Sequence, residues 1–177
     1  MGNLIKYLKA YLRISLKDRA PIKVSHHLSY DCNLQCDFCE RHNKENESLS
    51  TEETKEIMEK FYKEGTLFWT FNGGEPTLRD DIGELINYAK ELGFFCGLIT
   101  NGTLISDNIE ELENLDMVQI SVDGYGETHN EIRGEGTFEK ITENIDLLEE
   151  KGIPVQTMTV LNSKNCSLGK IERFLRW

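Results

Sequence analysis

The sequence predicts an α/β protein, a partial TIM-like (βα) barrel of parallel strands with about five βα units, preceded by an amphipathic N-terminal helix. From Pro21 onward, strand-like and helical patterns of apolar residues alternate regularly along the chain. The helical connections are long enough for the right-handed crossovers that join neighbouring parallel strands. The chemically distinctive residues all follow predicted strands, at the end where α/β barrels build their sites.

Five apolar segments predict the strands of the barrel. They are residues 22–28, 67–71, 94–99, 117–122 and 155–161. Ser50 and Glu53 form a capping-box pattern that opens the first connecting helix, which Gly65 ends. A second helix is predicted from the acidic residues at positions 80 and 81 to Gly93, because acids favour a helix N-terminus. Further helices are predicted around Ile109 and Leu112, from Thr137 and from near Ser167.

Residues 1–20 are predicted to form a separate amphipathic helix, and residues 21–177 the barrel core. Apolar residues recur at helical spacing among cations: Leu4, Ile5, Leu8, Tyr11, Leu12 and Leu16 alternate with Lys6, Lys9, Arg13 and Lys17. A helix of this kind can lie on an anionic membrane. It can also pack its apolar stripe on the barrel while its lysines stay in solvent, which is the interpretation we favour.

The composition fits one soluble globular domain rather than a disordered or fibrous chain. The chain has 177 residues, of which 38% are hydrophobic and 9% aromatic. Its five cysteines are unevenly spaced, and three of them lie within eight residues, which is unlike a disulfide framework. We find neither an apolar stretch long enough to span a membrane nor a signal peptide. These observations predict that the protein resides in a reducing cytoplasm.

Charge is divided unevenly along the chain. The formal charge is -11, from 20 Lys and Arg against 31 Asp and Glu. Residues 1–23 contain six Lys or Arg and one Asp, a charge of +5. Residues 24–177 therefore contain 14 Lys or Arg and 30 Asp or Glu, a charge of -16. Because nucleic acid is itself polyanionic, so acidic a body makes a nucleic-acid partner unfavourable.

The strongest chemical signal is a group of three cysteines after the first predicted strand. Cys32, Cys36 and Cys39 have the spacing C-x3-C-x2-C, and their thiolates are soft ligands suited to an iron–sulfur cluster or to zinc. Structural zinc usually takes paired C-x2-C units, and a second pair is absent here. A histidine would have to complete a zinc site: the candidates are His26, His27 and His42. A [4Fe–4S] cluster would instead keep one iron open to an outside ligand.

Three further loops follow the next predicted strands. Gly73 and Gly74 would let the backbone approach a ligand closely, and Glu75 would present a carboxylate to an ammonium group. The same residues also suit a plain strand-to-helix turn. Asn101 precedes a glycine in a turn-like pair after the third strand, and Ser121 lies at the end of the fourth. Residues 41–50, by contrast, are polar enough to form a mobile loop.

Together these motifs resemble the radical S-adenosylmethionine (radical SAM) superfamily. The resemblance is carried by residues 32–39, which contain the cysteines, and by residues 71–76, which read Phe-Asn-Gly-Gly-Glu-Pro. It extends over roughly residues 22–165. Residues 121–138 resemble the branch of the superfamily that matures peptides and cofactors, including enzymes related to molybdenum-cofactor and quinone-cofactor biosynthesis.

The resemblance implies two cofactors. Cys32, Cys36 and Cys39 would hold a [4Fe–4S] cluster, and the open iron would bind the amino and carboxylate groups of S-adenosylmethionine. Glu75, with the backbone of Gly73 and Gly74, would hold the methionine ammonium group.

The same resemblance assigns contacts to the rest of S-adenosylmethionine. Phe38 would lie near the adenine, Ser121 would meet the ribose or the carboxylate, and Arg133 would pair with the carboxylate. Asn101 and Asp123 are candidates for further contacts, although a turn asparagine and a loop-capping aspartate would look the same.

The function implied is reductive cleavage of S-adenosylmethionine to a 5′-deoxyadenosyl radical that abstracts hydrogen from an unidentified substrate, with a peptide or cofactor precursor favoured. A flavodoxin-like or ferredoxin-like electron donor and sensitivity to oxygen are expected. The alternative is a non-catalytic metal-binding module, either a zinc-stabilised domain or a truncated paralogue that acts as a partner subunit.

The chain departs from the family in its length. Related cores usually have six βα units, and here the sixth strand and everything after it are missing. Two alternatives follow: an oligomer or a partner subunit completes the barrel, or the chain is a fragment that binds cluster and cofactor without turning over substrate. Outside the motifs, Cys96 is expected in the core, Cys166 at the start of a helix and His129 on the surface.

Overall fold

The computed structural model describes residues 2–16, 19, 21–40 and 48–177, and it contains one parallel sheet. The five strands lie side by side in chain order. They are β1 (Lys23–His27), β2 (Phe68–Asn72), β3 (Phe95–Thr100), β4 (Met117–Ser121) and β5 (Val155–Met158). The helices are α1 (Gly2–Ser15), α2 (Thr51–Lys63), α3 (Ile82–Leu92), α4 (Ile109–Leu112), α5 (Glu127–Arg133), α6 (Thr137–Glu150) and α7 (Leu168–Phe174). The predicted partial α/β barrel is confirmed.

The sheet is in regular parallel register. Trp69 of β2, for example, lies opposite Val24 of β1 and Cys96 of β3. Strand β5 ends three residues before its predicted end because the next backbone groups bond elsewhere. The hydroxyl of Thr159 donates to the carbonyl of Val122 at 2.7 Å, and the amide of Val160 donates to a side chain instead of a strand.

The helix ends predicted from the sequence are present. The Ser50 amide donates to the Glu53 carboxylate at 2.9 Å, and the Glu53 amide donates to the Ser50 hydroxyl at 3.3 Å, so the capping box before α2 is complete. Gly93 follows α3 with φ of 95°, a left-handed conformation that glycine adopts without steric cost.

An aromatic and aliphatic core lies between the sheet and its helices. Trp69 packs against Phe61 of α2 and Phe94, with ring centroids 5.8 and 5.5 Å apart. Cys96 is fully buried in the same core, as predicted, and burial raises the pKa of its thiol to about 12. The hydrophobic core therefore lies between the outer face of the sheet and helices α2, α3, α4 and α6.

Helix α1 lies across the N-terminal ends of the strands, which we call the amino edge of the sheet. The Tyr7 ring lies 5.4 Å from Phe68 and 6.0 Å from Phe95, the first residues of β2 and β3. The Arg13 guanidinium donates to the carbonyl of Gly65, just before β2. The opposite end, where the strands finish, we call the carboxyl edge.

The favoured expectation for this helix, that its apolar stripe packs on the barrel, is wrong. Leu8 and Leu12 are 57% and 49% exposed, whereas Ala10 is buried and Lys6 and Arg13 are half-buried. The small Ala10 side chain permits close approach to the sheet, and the Arg13 guanidinium satisfies a backbone carbonyl there. No helix in the described part of the chain is long and apolar enough to cross a membrane.

Two further differences concern segments between strands. Helix α5 is absent from the sequence prediction, because seven residues between Gly126 and Gly134 are too few to show a helical period. The mobile loop predicted for residues 41–50 falls largely on residues 41–47, which lie outside the described residues, as does the candidate zinc ligand His42.

Candidate functional site

A cavity of about 570 Å³ opens at the carboxyl edge of the sheet. Its lining comes from the loops or ends of all five strands, and it contains nine of the ten residues predicted for the site. These are Cys32, Cys36, Phe38, Cys39, Gly73, Gly74, Asn101, Ser121 and Arg133. The structure therefore gathers residues that are as much as 101 positions apart in the sequence.

The first half of the cysteine loop is held by the backbone of the glycine loop. The Gly74 amide donates to the Ser29 carbonyl at 2.8 Å, and the Glu75 amide donates to the Asp31 carbonyl at 2.7 Å. A Cβ atom at Gly74 would lie 2.0 Å from the Asp31 oxygen, and one at Gly73 would lie 2.8 Å from the Ser29 oxygen. Both positions thus require glycine for contact between two loops of the protein itself.

The rest of the cysteine loop is held by the loop after β3 and by helix α5. Asn33 donates to the Thr103 hydroxyl at 2.8 Å and accepts from the Asn101 amide group at 2.8 Å. The same Asn101 nitrogen lies 3.9 Å from the sulfur of Cys32. Further along, the Asp37 amide donates to the Ile132 carbonyl of α5 at 3.1 Å. The position of the cysteines therefore depends on three other parts of the chain: the glycine loop, the loop after β3 and α5.

The three thiols suit a soft metal centre. Cys36 is buried and Cys32 and Cys39 are half-buried, all on the wall of one cavity that is wide enough for a cluster and an organic ligand. Burial raises the pKa of the Cys32 and Cys36 thiols, so binding a metal there would release their protons. Within the described residues, no three His, Cys, Asp or Glu side chains form a group that could bind a single metal ion. His26 and His27 do not line the cavity.

Glu75 is the predicted site residue that the cavity surface does not include. Its carboxylate is fully buried behind the wall and accepts hydrogen bonds from both neighbouring loops. One oxygen accepts from the Thr77 amide at 3.1 Å and the Thr100 hydroxyl at 2.7 Å, and the other accepts from the Asn101 amide at 2.7 Å. The carboxylate thus joins the loops after β2 and β3, a structural role that the sequence analysis did not foresee.

An ion pair is buried at the opposite wall of the cavity. Arg133 donates from Nε to the Asp123 carboxylate at 2.6 Å, and both side chains are almost completely buried. The other Asp123 oxygen accepts from the Val160 amide at 2.8 Å. The Arg133 guanidinium also lies 5.5 Å from the centre of the Phe38 ring. Since the ion pair uses Nε, it leaves the two terminal nitrogens of Arg133 for other acceptors.

The expectation that His129 lies on the surface is wrong, because this side chain is fully buried beside the ion pair. Its Nδ1 accepts from the Asp123 amide at 3.1 Å, and its ring lies 5.9 Å from Phe138. Burial, together with the positive charge of Arg133, lowers the pKa of His129 to about 4. The signal that could have revealed this position is its spacing, four residues before Arg133 and on the same face of α5.

Residues 27–174 match the family model of the Radical SAM superfamily. The chain belongs to the radical SAM superfamily. The resemblance inferred from the cysteine and glycine motifs is thereby confirmed. The matched stretch starts at the last residue of β1 and ends at the last residue of α7, so it includes strands β2 to β5 and every loop of the cavity.

Curated relatives of the chain include a synthase and a maturase. The Fe-coproporphyrin III synthase of Methanosarcina barkeri is 35% identical over 172 residues, covering 93% of this chain and 43% of that protein. The mycofactocin maturase MftC of Mycolicibacterium smegmatis is 31% identical over 161 residues, covering 88% and 41%. The chain thus spans less than half the length of these curated relatives.

Solved structures support the same fold. Streptococcus suis SuiB, in a structure with bound S-adenosylmethionine, superposes with a TM-score of 0.78 at 21% sequence identity. The superposition covers 96% of this chain and 41% of SuiB. SuiB has also been solved bound to its precursor peptide SuiA.

Proposed function

We propose that the cavity holds a [4Fe–4S] cluster on Cys32, Cys36 and Cys39, with S-adenosylmethionine next to it. The observation that carries this proposal is that the three thiols line the same cavity as Gly73, Gly74 and Arg133. A thiolate set, a backbone hydrogen-bonding surface and a cation are the groups that this pair of cofactors requires. When bound, the two cofactors supply reductive cleavage to a 5′-deoxyadenosyl radical.

Four side chains of this protein would bind and orient S-adenosylmethionine. Arg133 offers its terminal nitrogens to the methionine carboxylate, and Asp123 fixes the direction of the guanidinium through Nε. Ser121 offers its hydroxyl to the ribose or the same carboxylate. Phe38 offers a half-exposed ring on which adenine can stack. Asn101 adds an amide next to Cys32 and is a candidate further contact.

The methionine ammonium group is assigned to the loop after β2. Gly73 and Gly74 line the cavity and present their backbone to it. The Glu75 carboxylate holds this loop against the loop after β3 and contributes negative charge directly behind the wall. An ammonium group at this point would therefore meet backbone carbonyls in front of a buried carboxylate.

We propose a peptide or cofactor precursor as the substrate, because the named relatives include a haem-pathway synthase and a mycofactocin maturase, and SuiB binds a precursor peptide. A flavodoxin-like or ferredoxin-like donor is the expected source of electrons. Unpaired cysteines suit a reducing cytoplasm. The remainder of the barrel would come from a longer chain, a second copy or a partner subunit.

Anaerobic reconstitution with iron and sulfide tests the proposal. We expect about four irons per chain, and formation of 5′-deoxyadenosine after dithionite and S-adenosylmethionine are added. Cys36→Ala should abolish both, whereas Cys166→Ala, at an exposed thiol outside the cavity, should change neither. Stoichiometric zinc without a cluster spectrum would contradict the proposal in favour of a zinc-stabilised domain. A cluster without deoxyadenosine would indicate a non-catalytic paralogue.

A further inference from the structure

Helix α1 presents its apolar side to solvent. Five exposed apolar side chains, 49% to 74% accessible, form what we call the outward face: Leu4, Ile5, Leu8, Tyr11 and Leu12. Tyr7 and Ile14 are also exposed but lie beside this face. At about 100° per residue they occupy an arc of about 120°, into which the terminal Ser15 also falls. Lys6, Ala10 and Arg13 lie on the opposite side, toward the sheet. A helix that covers a core turns its apolar side inward, whereas α1 turns its apolar side to solvent.

The charges near the outward face are basic. Lys9 is exposed at the border of the arc, and residues 1–23 carry +5 while residues 24–177 carry -16. Arg19 and Lys23 are also exposed. Face-to-face pairing of two copies through α1 would bring two such basic segments together, which electrostatics disfavours. An anionic surface complements both the apolar face and its flanking cations.

Helix α1 and the cavity lie at opposite ends of the sheet. The helix crosses the amino edge of the sheet, whereas the cavity opens at the carboxyl edge. A flat surface bound to the outward face would therefore lie at the end of the molecule opposite the cavity. The cavity would stay open to water, and the acidic body would extend away from the surface.

We propose that the outward face of α1 docks the protein on an anionic lipid surface. A helix with an apolar face and a basic flank lies in the plane of the headgroups, with its apolar side chains at the acyl boundary. Each nearby Lys or Arg adds electrostatic attraction to anionic lipid, such as that of the cytoplasmic leaflet. This docking is independent of the cluster and goes beyond the proposed function.

Flotation of the intact chain with lipid vesicles tests the docking. The protein should float with vesicles of phosphatidylcholine mixed with phosphatidylglycerol, and much less with phosphatidylcholine alone. The double variant L8E/L12E should reduce partitioning about tenfold, because it removes two apolar anchors and adds negative charge. L168E/L175E is the matched control, since Leu168 and Leu175 are 80% and 78% exposed at the other end of the chain, and it should float like the unaltered chain.

Three outcomes would overturn the proposal. In the first, the unaltered chain fails to float with phosphatidylglycerol vesicles. The two double variants would lose binding equally. Sedimentation equilibrium would show a dimer that L8E/L12E dissociates, which would make the outward face an interface between copies. Circular dichroism should show that L8E/L12E is folded; if it is not, the uncharged L8Q/L12Q variant should show a smaller loss of partitioning and keep the test decisive.

Discussion

The two edges of the sheet are held together by different kinds of contact. At the carboxyl edge, the Asp123 and Glu75 carboxylates are fully buried and accept hydrogen bonds from several loops. At the amino edge, α1 rests on the sheet through the partly exposed Tyr7 ring and a guanidinium that reaches a backbone carbonyl. One edge is an interdependent polar network, and the other is a peripheral contact.

The difference indicates where substitutions should be costly. When one member of a buried polar network is removed, its partners stay buried with neither a protein hydrogen bond nor water. The loss in free energy of unfolding therefore exceeds the energy of the contact itself. A partly exposed aromatic contact loses only its own packing. Stability should therefore depend steeply on the carboxyl edge, which also forms the cavity, and weakly on the amino edge.

The largest effect is expected for Asp123→Ala. This change leaves the buried Arg133 guanidinium without its carboxylate and the Val160 amide without its acceptor. The free energy of unfolding measured in urea should fall by about 4 kcal/mol. Glu113→Ala breaks the exposed pair with Lys151 and should change this free energy very little, because solvent screens the two charges. Equal losses from these two variants would remove the distinction between buried and exposed pairs.

Gly74→Ala should be the next most damaging change. A Cβ atom there would lie 2.0 Å from the Asp31 backbone oxygen, so the glycine loop and the cysteine loop must separate. We expect a loss of about 3 kcal/mol in urea, with a lower iron content after reconstitution. Gly169→Ala, where an added Cβ meets open space, is the control and should retain both stability and iron. Normal iron loading of Gly74→Ala would show that the two loops do not need this contact.

His129 should make stability depend on pH. Its pKa is lowered from 6.5 to about 4 in the fold, so the unfolded chain takes up the proton first as the pH falls. The stability that the neutral His129 contributes is therefore fully present above pH 6.5. It is lost on acidification toward pH 4, where the free energy of unfolding should be lower by about 3 kcal/mol. His129→Asn cannot titrate, and urea unfolding across this range should show a shallower pH dependence. An unchanged slope would mean that His129 is not buried as a neutral ring.

The smallest effect is expected at the amino edge. Tyr7→Ala removes the contacts with Phe68 and Phe95 and should lower the free energy of unfolding by about 1 kcal/mol. Tyr11→Ala, on the exposed side of the same helix, should leave the thermal midpoint unchanged. If Tyr7→Ala cost as much as Asp123→Ala, the contrast between the two edges would disappear.

Local features of the fold were predictable from the sequence, because their partners are a few residues apart. The capping box of Ser50 and Glu53 and the helix end at Gly93 depend only on neighbouring backbone groups. The central strands β2, β3 and β4 were predictable from apolar runs that are largely buried, whereas the edge strands β1 and β5 are more polar and have no fully buried residue. Helix α5 was not predictable, since two turns are too short for a pattern to emerge.

The sequence predicts which residues form the site better than it predicts the hydrogen bonds that they make. A motif specifies that Glu75 matters, but its partners Thr77, Thr100 and Asn101 come partly from another strand, so only the folded chain shows what its carboxylate does. The same holds for α1. Its pattern predicts an apolar face, whereas the direction of that face depends on the tertiary contact between Arg13 and Gly65.

The most direct test of the cavity as a joint site for a cluster and S-adenosylmethionine is electron paramagnetic resonance of the reconstituted, dithionite-reduced protein. The spectrum should show a reduced [4Fe–4S] cluster whose signal changes when S-adenosylmethionine is added, in the unaltered chain and in Cys166→Ala. Cys36→Ala should lack the signal. A cluster signal that is indifferent to S-adenosylmethionine, or one that persists without Cys36, would contradict the account.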